Sequence, residues 1–300
     1  MANIQGPFGT LMTAMVTAFN EDGTLDLPAT KRVAQHLLDL GHDGIVINGT
    51  TGEGATTSDS EKRQIIKAVK ATVGDRAKVV TGVGTNDTAH TVELAIEAAE
   101  AGADGLLVVT PYYSRPSQPG LIQHFLRVAD ATDLDVMIYD IPGRSAVHLE
   151  PATIKELSEH EKIVAVKDAT GNLSRAFGLI NVTGLAYYSG DDALNLPLLA
   201  QGGSGVVSVV GHVVGDAWLE VIAGLESGNL AHAQEATARI WPVVVAVMGG
   251  GQGACMIKAA LELMGVLERR TVRLPLFAAN EQEVGHVRQA LIAAGLRPTN

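Results

Sequence analysis

The sequence predicts an α/β protein: a (β/α)8 TIM barrel followed by a C-terminal helical appendage. Three observations carry this. Eight short runs rich in Val, Ile and Leu recur between residues 10 and 209. None alternates apolar with polar residues, which suits strands covered on both faces of a parallel sheet. Longer stretches with helical periodicity follow the runs, so β-then-α units repeat at roughly 20- to 34-residue intervals. A doubly wound open sheet is the rival fold, but it usually has fewer strands and a nucleotide motif.

Taken in order, the runs fall at 10–16, 44–47, 78–81, 105–109, 136–139, 163–166, 186–188 and 205–209. The helices between them carry their own punctuation. Ser58 and Glu61 form a capping-box pattern ahead of Ile65, Ile66, Val69 and Val73, and Gly74 suits the position past the helix end. Asp87 caps a helix carrying Val92, Ala95, Ile96 and Ala99, which ends at Gly102. Pro151 fits the first turn of the helix with Ile154 and Leu157. Asp216 opens a stretch with Trp218, Val221, Ile222 and Leu225, closed by Gly228. The predicted division is a catalytic barrel over 1–229 and a helical domain over 230–300, with helices at 231–247, 254–263 and 281–294. The glycine-rich run 249–253 is too short for a linker.

Composition narrows the function. A 46% hydrophobic fraction over 300 residues supports a sizeable core. Lys and Arg number 22 against 33 Asp and Glu, a net charge of −11, which argues against nucleic acid as the main partner. No apolar run approaches the ~18 residues of a membrane span. Met1-Ala2-Asn3-Ile4-Gln5-Gly6 lacks the basic-then-apolar pattern of a signal peptide. A cytoplasmic protein with no membrane partner is therefore expected. The single cysteine, Cys255, excludes an intrachain disulfide and a Cys-rich metal site, and its place at an apolar helix start reads as packing.

In a barrel of this kind the chemistry sits at the C-terminal ends of the strands. The residues following the runs are Thr17, Thr50, Thr51, Gly84, Thr85, Thr110, Tyr112, Tyr113, Tyr139, Asp140, Lys167, Asp168, Ser189, Gly190 and Ser208. That predicts a mouth of hydroxyls holding one amine, with all five tyrosines at or beside it. Tyr also favours strand ends for ordinary packing reasons. Lys167 follows Ile163-Val164-Ala165-Val166, so it emerges from an apolar wall. By position alone it is equally a lysine snorkelling to solvent. With no carboxylate cluster evident beside it, burial would yield a neutral amine able to attack a ketone and form a Schiff base. The iminium is then an electron sink for making or breaking a carbon–carbon bond.

Such chemistry needs proton transfer, and the nine histidines, among them His36, His90, His124 and His286, fall in helices or loops. A hydroxyl relay through Thr50, Tyr139 and Tyr113 is the alternative carrier. Gly49-Thr50-Thr51-Gly52-Glu53 offers hydroxyls and N–H groups suited to a small carboxylate, or is an ordinary glycine-rich turn. Arg144, just past a strand end, is the residue type for bidentate carboxylate capture, or else a solvated loop arginine. Gly82-Val83-Gly84 lacks the third glycine of a dinucleotide fingerprint, and neither a Walker A loop nor metal-ligand spacing occurs. Gly202-Gly203-Ser204-Gly205 precedes a strand and reads as structural. No cofactor and no metal is expected.

Four motifs then converge: Gly49-Thr50-Thr51-Gly52-Glu53, Pro111-Tyr112-Tyr113-Ser114-Arg115-Pro116, Tyr139-Asp140-Ile141-Pro142-Gly143-Arg144-Ser145 and Val166-Lys167-Asp168-Ala169-Thr170-Gly171. With Ser189-Gly190-Asp191-Asp192 and Gly205-Val206-Val207-Ser208-Val209, they resemble the dihydrodipicolinate synthase family along nearly the whole chain. The resemblance implies a Schiff base between pyruvate and Lys167, whose enamine attacks L-aspartate 4-semialdehyde in lysine biosynthesis by the diaminopimelate route. It makes Thr50, Tyr139 and Tyr113 the relay, with Tyr113 entering a neighbouring subunit. Thr50 and Thr51 would hold the pyruvate carboxylate and Arg144 that of the aldehyde. Gly190 and Val207 would supply backbone contacts. It also implies a homotetramer built as a dimer of dimers.

Thr50 and Arg144 weigh against the sister N-acetylneuraminate lyases and other sugar-acid aldolases. The intact relay weighs against a silent keto-acid-binding homologue. A metal-dependent pyruvate aldolase is a further alternative. Two departures from the family pattern stand out. Gly54 replaces a common Ser and is expected to loosen its loop, and Ala18 replaces a common Pro. Where the family's lysine feedback site often has two His and a Glu, this chain has Asp59, Lys62 and His90, with Asn86 and Tyr112 retained. Inhibition by lysine is expected to be weak or absent.

Overall fold

A computed structural model describes residues 4–250 and 252–299. The extreme N-terminus and Gly251 within the glycine run lie outside the described residues. Eight parallel strands close into a barrel in chain order: β1 (Leu11–Ala14), β2 (Gly44–Ile47), β3 (Lys78–Gly82), β4 (Gly105–Val109), β5 (Val136–Asp140), β6 (Ile163–Asp168), β7 (Ala186–Ser189) and β8 (Gly205–Ser208). The ring closes where Leu11 of β1 pairs with Val206 of β8. Each strand sends at least one residue into the middle: Met12, Val46, Val80, Leu107, Met137, Ala165, Tyr188 and Val207 are all buried there. The barrel is thus a packed core, open for chemistry only at its upper end.

The helices are α1 (Leu27–Asp39), α2 (Asp59–Val73), α3 (Thr88–Glu100), α4 (Gln118–Asp130), α5 (Pro142–Ser145), α6 (Pro151–Leu157), α7 (Leu173–Thr183), α8 (Asn195–Ala200) and α9 (Gly211–Glu226). The predicted caps are present. Ser58 and Glu61 complete a capping box on α2, Asp87 accepts from the Ala89 N–H at the head of α3, and Pro151 opens α6. Gly228 takes φ +76° just beyond α9, the left-handed conformation that favours glycine.

Two expectations need correction. The helix assigned to Asp216 starts at Gly211, where the Ser208 hydroxyl accepts the Gly211 N–H at 2.7 Å; a break at Val214 (φ −133°) puts Asp216 inside it. Tyr188 is not at the mouth. Its hydroxyl donates to the Gly9 carbonyl and accepts the Phe8 N–H, sealing the barrel floor. With a side-chain period of two, Tyr188 can point inward only at the height its register with Gly205 allows, which is low.

Past the barrel come α10 (Leu230–Met248), α11 (Gly253–Leu263) and α12 (Glu281–Ala293). Ile240, Val243, Val244 and Val247 of α10, with Ile257 and Leu261 of α11, join the apolar layer that covers the outside of the barrel. Among the described residues no helix is long and apolar enough to cross a membrane.

Candidate active site

Alternation on two neighbouring strands assembles the centre. Tyr139 of β5 pairs in register with Lys167 of β6, and both point into the barrel. The Lys167 ammonium nitrogen lies 4.1 Å from the centroid of the Tyr139 ring. Both side chains are buried, and burial pulls the Lys167 amine down to about 8, with Arg144 adding repulsion. Asp192 opposes that shift; sequence reasoning quoted it within a motif but assigned it no role. Its oxygens are already engaged by the Ser208 hydroxyl, the Val209 and Val210 N–H groups at 2.8 and 3.0 Å, and Asn195 at 3.1 Å. Lys167 therefore feels a negative field without losing its nucleophile to a salt bridge.

The phenol of Tyr139 is pushed up to about 12 by burial, against the pull of Arg144 and a hydrogen bond with Thr50. Thr50 and Thr51 belong to the loop after β2, whose shape comes from left-handed φ at Asn48 and Glu53 (both +55°). The Glu53 N–H donates to the Thr50 carbonyl at 3.1 Å, and the Thr17 hydroxyl donates to the Gly52 carbonyl at 2.7 Å. Gly54 does not loosen this loop. A Cβ there would overlap the Asn48 carbonyl, and its N–H donates to the Gly49 carbonyl at 3.0 Å. Ala18 supplies an N–H to the Thr30 hydroxyl at 3.3 Å, a donor that proline lacks.

A cavity of 370 Å3 opens above Lys167, lined by Thr50, Thr51, Tyr112, Tyr139, Arg144, Lys167 and Gly190 among others. At Gly190 a Cβ would come within 3.0 Å of the Lys167 side chain, so bare backbone is what fits beside the amine. Val207 is buried in the barrel interior below the cavity. Tyr113 stands 88% exposed at the rim with φ +73° and does not line the cavity of its own chain. Arg144 sits exposed on the short helix α5.

Two residues placed by sequence at the mouth lie elsewhere. Asp140 and Asp168 follow Tyr139 and Lys167 by one position, so they face outward into the helix layer. There Arg175 of α7 lies 2.9 Å from Asp140 and 3.6 Å from Asp168. Burial pushes Asp140 up to about 6, against the pull of Arg175. The cavity also takes Met248, Gln252, Gly253, Ala254, Pro275 and Leu276 from the C-terminal part, which sequence reasoning treated as an appendage. Local patterning carries no signal for that long-range contact.

The model of the dihydrodipicolinate synthetase family matches residues 7–294. A 4-hydroxy-tetrahydrodipicolinate synthase of Kineococcus radiotolerans is 53% identical over 292 residues, covering 97% of this chain and 95% of its own. The crystal structure of a dihydrodipicolinate synthase from Bacillus anthracis superposes with a TM-score of 0.92 at 38% identity, covering 96% of this chain and 99% of that one. That of the chloride-inhibited dihydrodipicolinate synthase from Acinetobacter baumannii, complexed with pyruvate, gives 0.91 at 34% identity, covering 98% and 100%. Since the likeness runs through barrel and helical tail together, in sequence as well as in shape, the chain belongs to the dihydrodipicolinate synthetase family.

Proposed function

We propose that this protein is a 4-hydroxy-tetrahydrodipicolinate synthase, a lyase of lysine biosynthesis that joins pyruvate to L-aspartate 4-semialdehyde by a class I aldolase route. The observation that carries the chemistry is the buried Lys167 amine, lowered to about 8 and 4.1 Å from the Tyr139 ring. The neutral amine attacks C2 of pyruvate and expels water, giving an iminium. Loss of a C3 proton leaves an enamine, and its C3 attacks the aldehyde carbon. The amino group of the second substrate then displaces Lys167 as the ring closes, so one water is released overall. Thr50, Tyr139 and Tyr113 relay the protons, Thr50 and Thr51 bind the pyruvate carboxylate, and Arg144 binds that of the aldehyde. Gly190 and Val207 contribute backbone around the pyruvate-derived atoms.

In this reading residues 1–229 are the catalytic barrel and 230–300 a helical domain, in a cytoplasmic homotetramer. The exposure of Tyr113 in the single chain supports a role at a neighbour's site. Borohydride reduction with pyruvate, followed by peptide mapping, tests the first step. The expected result is a covalent adduct on the peptide bearing Lys167; folded protein without one refutes the Schiff base. Mixed oligomers of Lys167→Ala and Tyr113→Phe test the shared site, since recovery of activity on mixing two weak variants requires Tyr113 to act across subunits.

A further inference from the structure

We propose that Lys258 of α11 is a positioning residue for the pyruvate-carboxylate loop, holding it through a buried ion pair with Glu53. Glu53 closes the turn that carries Thr50 and Thr51 beside the cavity, and its carboxylate reaches into the C-terminal part. There it meets the Lys258 ammonium, and both side chains are 1% exposed. The other Glu53 oxygen accepts the Arg273 N–H at 2.8 Å, and Lys258 donates to the Thr271 carbonyl at 2.7 Å. Both cations lie over the Phe19 ring, the Lys258 nitrogen 4.5 Å and the Arg273 guanidinium 4.2 Å from its centroid. The Arg273 side chain reaches across to Glu61 at the head of α2 and to the Thr56 carbonyl at 2.8 Å, just past the same loop.

A buried ion pair is a costly way to gain stability, because desolvation offsets most of the attraction. It does fix geometry. Glu53 sits at left-handed φ and donates its N–H to the Thr50 carbonyl, so a displacement of its side chain passes through one peptide to Thr50 and Thr51. Released from Lys258, the Glu53 carboxylate has reason to swing towards water, and the turn opens with it. The inference rests on reading these threonines as the pyruvate site. It assigns the helical tail a part in substrate binding.

The test is steady-state kinetics of Lys258→Met on the full chain with both substrates varied. The expected result is a pyruvate KM raised at least fivefold while the KM for aspartate semialdehyde stays within twofold. A merely structural role lowers the folded fraction and moves neither KM. The double variant Lys258→Met/Glu53→Gln removes the stranded charge, and it is expected to recover melting temperature but not the pyruvate KM. Unchanged pyruvate KM in folded Lys258→Met, or recovery of that KM in the double variant, overturns the proposal. If Lys258→Met does not fold, Glu53→Gln alone carries the test, because it puts an NH2 donor in place of one of the two oxygens that accept separately from Lys258 and the Arg273 N–H. Its pyruvate KM is expected to rise selectively, and no rise counts against the proposal. Trapping wild-type protein with pyruvate and borohydride separates the two failures: no wild-type adduct brings down the functional reading and this inference with it, whereas a normal adduct with indifferent variants brings down this inference alone.

Discussion

At the scale of single residues, the site depends on how far burial alters two ionisable groups. A free lysine titrates near 10.4, so about one in a thousand is neutral at pH 7.4. With the Lys167 amine lowered to about 8, that fraction rises to roughly a fifth. The rate of pyruvate adduct formation should therefore climb about tenfold per pH unit well below 8 and level off above it. A rate flat from pH 6 to 9 would show that the amine is not the titrating nucleophile. Tyr139→Phe removes the hydroxyl proposed for the relay but keeps the ring beside Lys167, so turnover should fall by about 10²- to 10⁴-fold with adduct mass still obtained on long incubation. Near α2 the Asp59 carboxylate is occupied by His90 at 3.0 Å and Lys62 at 3.3 Å, and Lys62 also donates to the Thr57 carbonyl. These contacts already pair the Asp59 carboxylate with cationic or imidazole partners, which weakens its hold on an added amine. L-Lysine should thus inhibit weakly or not at all, and half-inhibition below about 1 mM, a dissociation energy of ~4 kcal/mol, would contradict that.

At the scale of elements, β5 and β6 work as a pair with two faces. Tyr139 and Lys167 point inward, while Asp140 and Asp168 point outward to a single guanidinium from α7. Replacing Arg175 with Met leaves two carboxylates buried without their counter-charge, which should destabilise the protein by about 3–5 kcal/mol. Urea unfolding measures this, and a loss within 1 kcal/mol would mean that the carboxylates find protons or water instead. The same strands show what the sequence made legible. Their apolar runs located all eight, because unalternating Val and Ile tolerate burial on both faces. The facing of each terminal residue was hidden, because it depends on where a strand enters the barrel. A one-residue change in that entry exchanges Lys167 with Asp168. For the same reason Tyr188 read as a mouth residue and proved to be the floor. The Gly49–Glu53 loop was legible as a candidate carboxylate site from its hydroxyls and glycines, and the structure places it at the cavity. The partner of Glu53, more than two hundred residues away, was not, since nothing local in Ile257-Lys258-Ala259 distinguishes a buried lysine from a surface one.

At the scale of the whole molecule, three histidines decide how the fold meets acid. His42, His124 and His212 lie behind the barrel wall, none lining the cavity, and each binds neighbouring backbone or hydroxyl groups. His42 bonds the Leu37 carbonyl and the Thr13 hydroxyl, His124 the Thr88 hydroxyl, and His212 the Val209 carbonyl and the Val16 N–H. Burial lowers the first two to about 4 and His212 to about 3. In the unfolded chain each takes a proton near pH 6.5, whereas the folded protein resists until about pH 4 or below. Their contribution is therefore intact above pH 6.5 and is lost as pH falls from there towards 4, by about 1.4 kcal/mol per unit for each group. Asp140 works the other way: raised to about 6, it takes up a proton in the folded state first, so the penalty of its buried charge, full above pH 6, is relieved as pH falls from 6 to 4. Asp192 and Asp43, also raised by burial, act in the same direction. Between pH 7 and 6 Lys167, lowered to about 8, is already largely charged and the histidines dominate, so their decline should begin there and then slow as the carboxylates protonate. Urea midpoints at pH 7.5, 6.5, 5.5 and 4.5 should fall by this two-stage course, with His124→Gln flattening the first stage by one group's share. A midpoint that holds constant down to pH 5 would mean that these imidazoles are already solvated in the native protein.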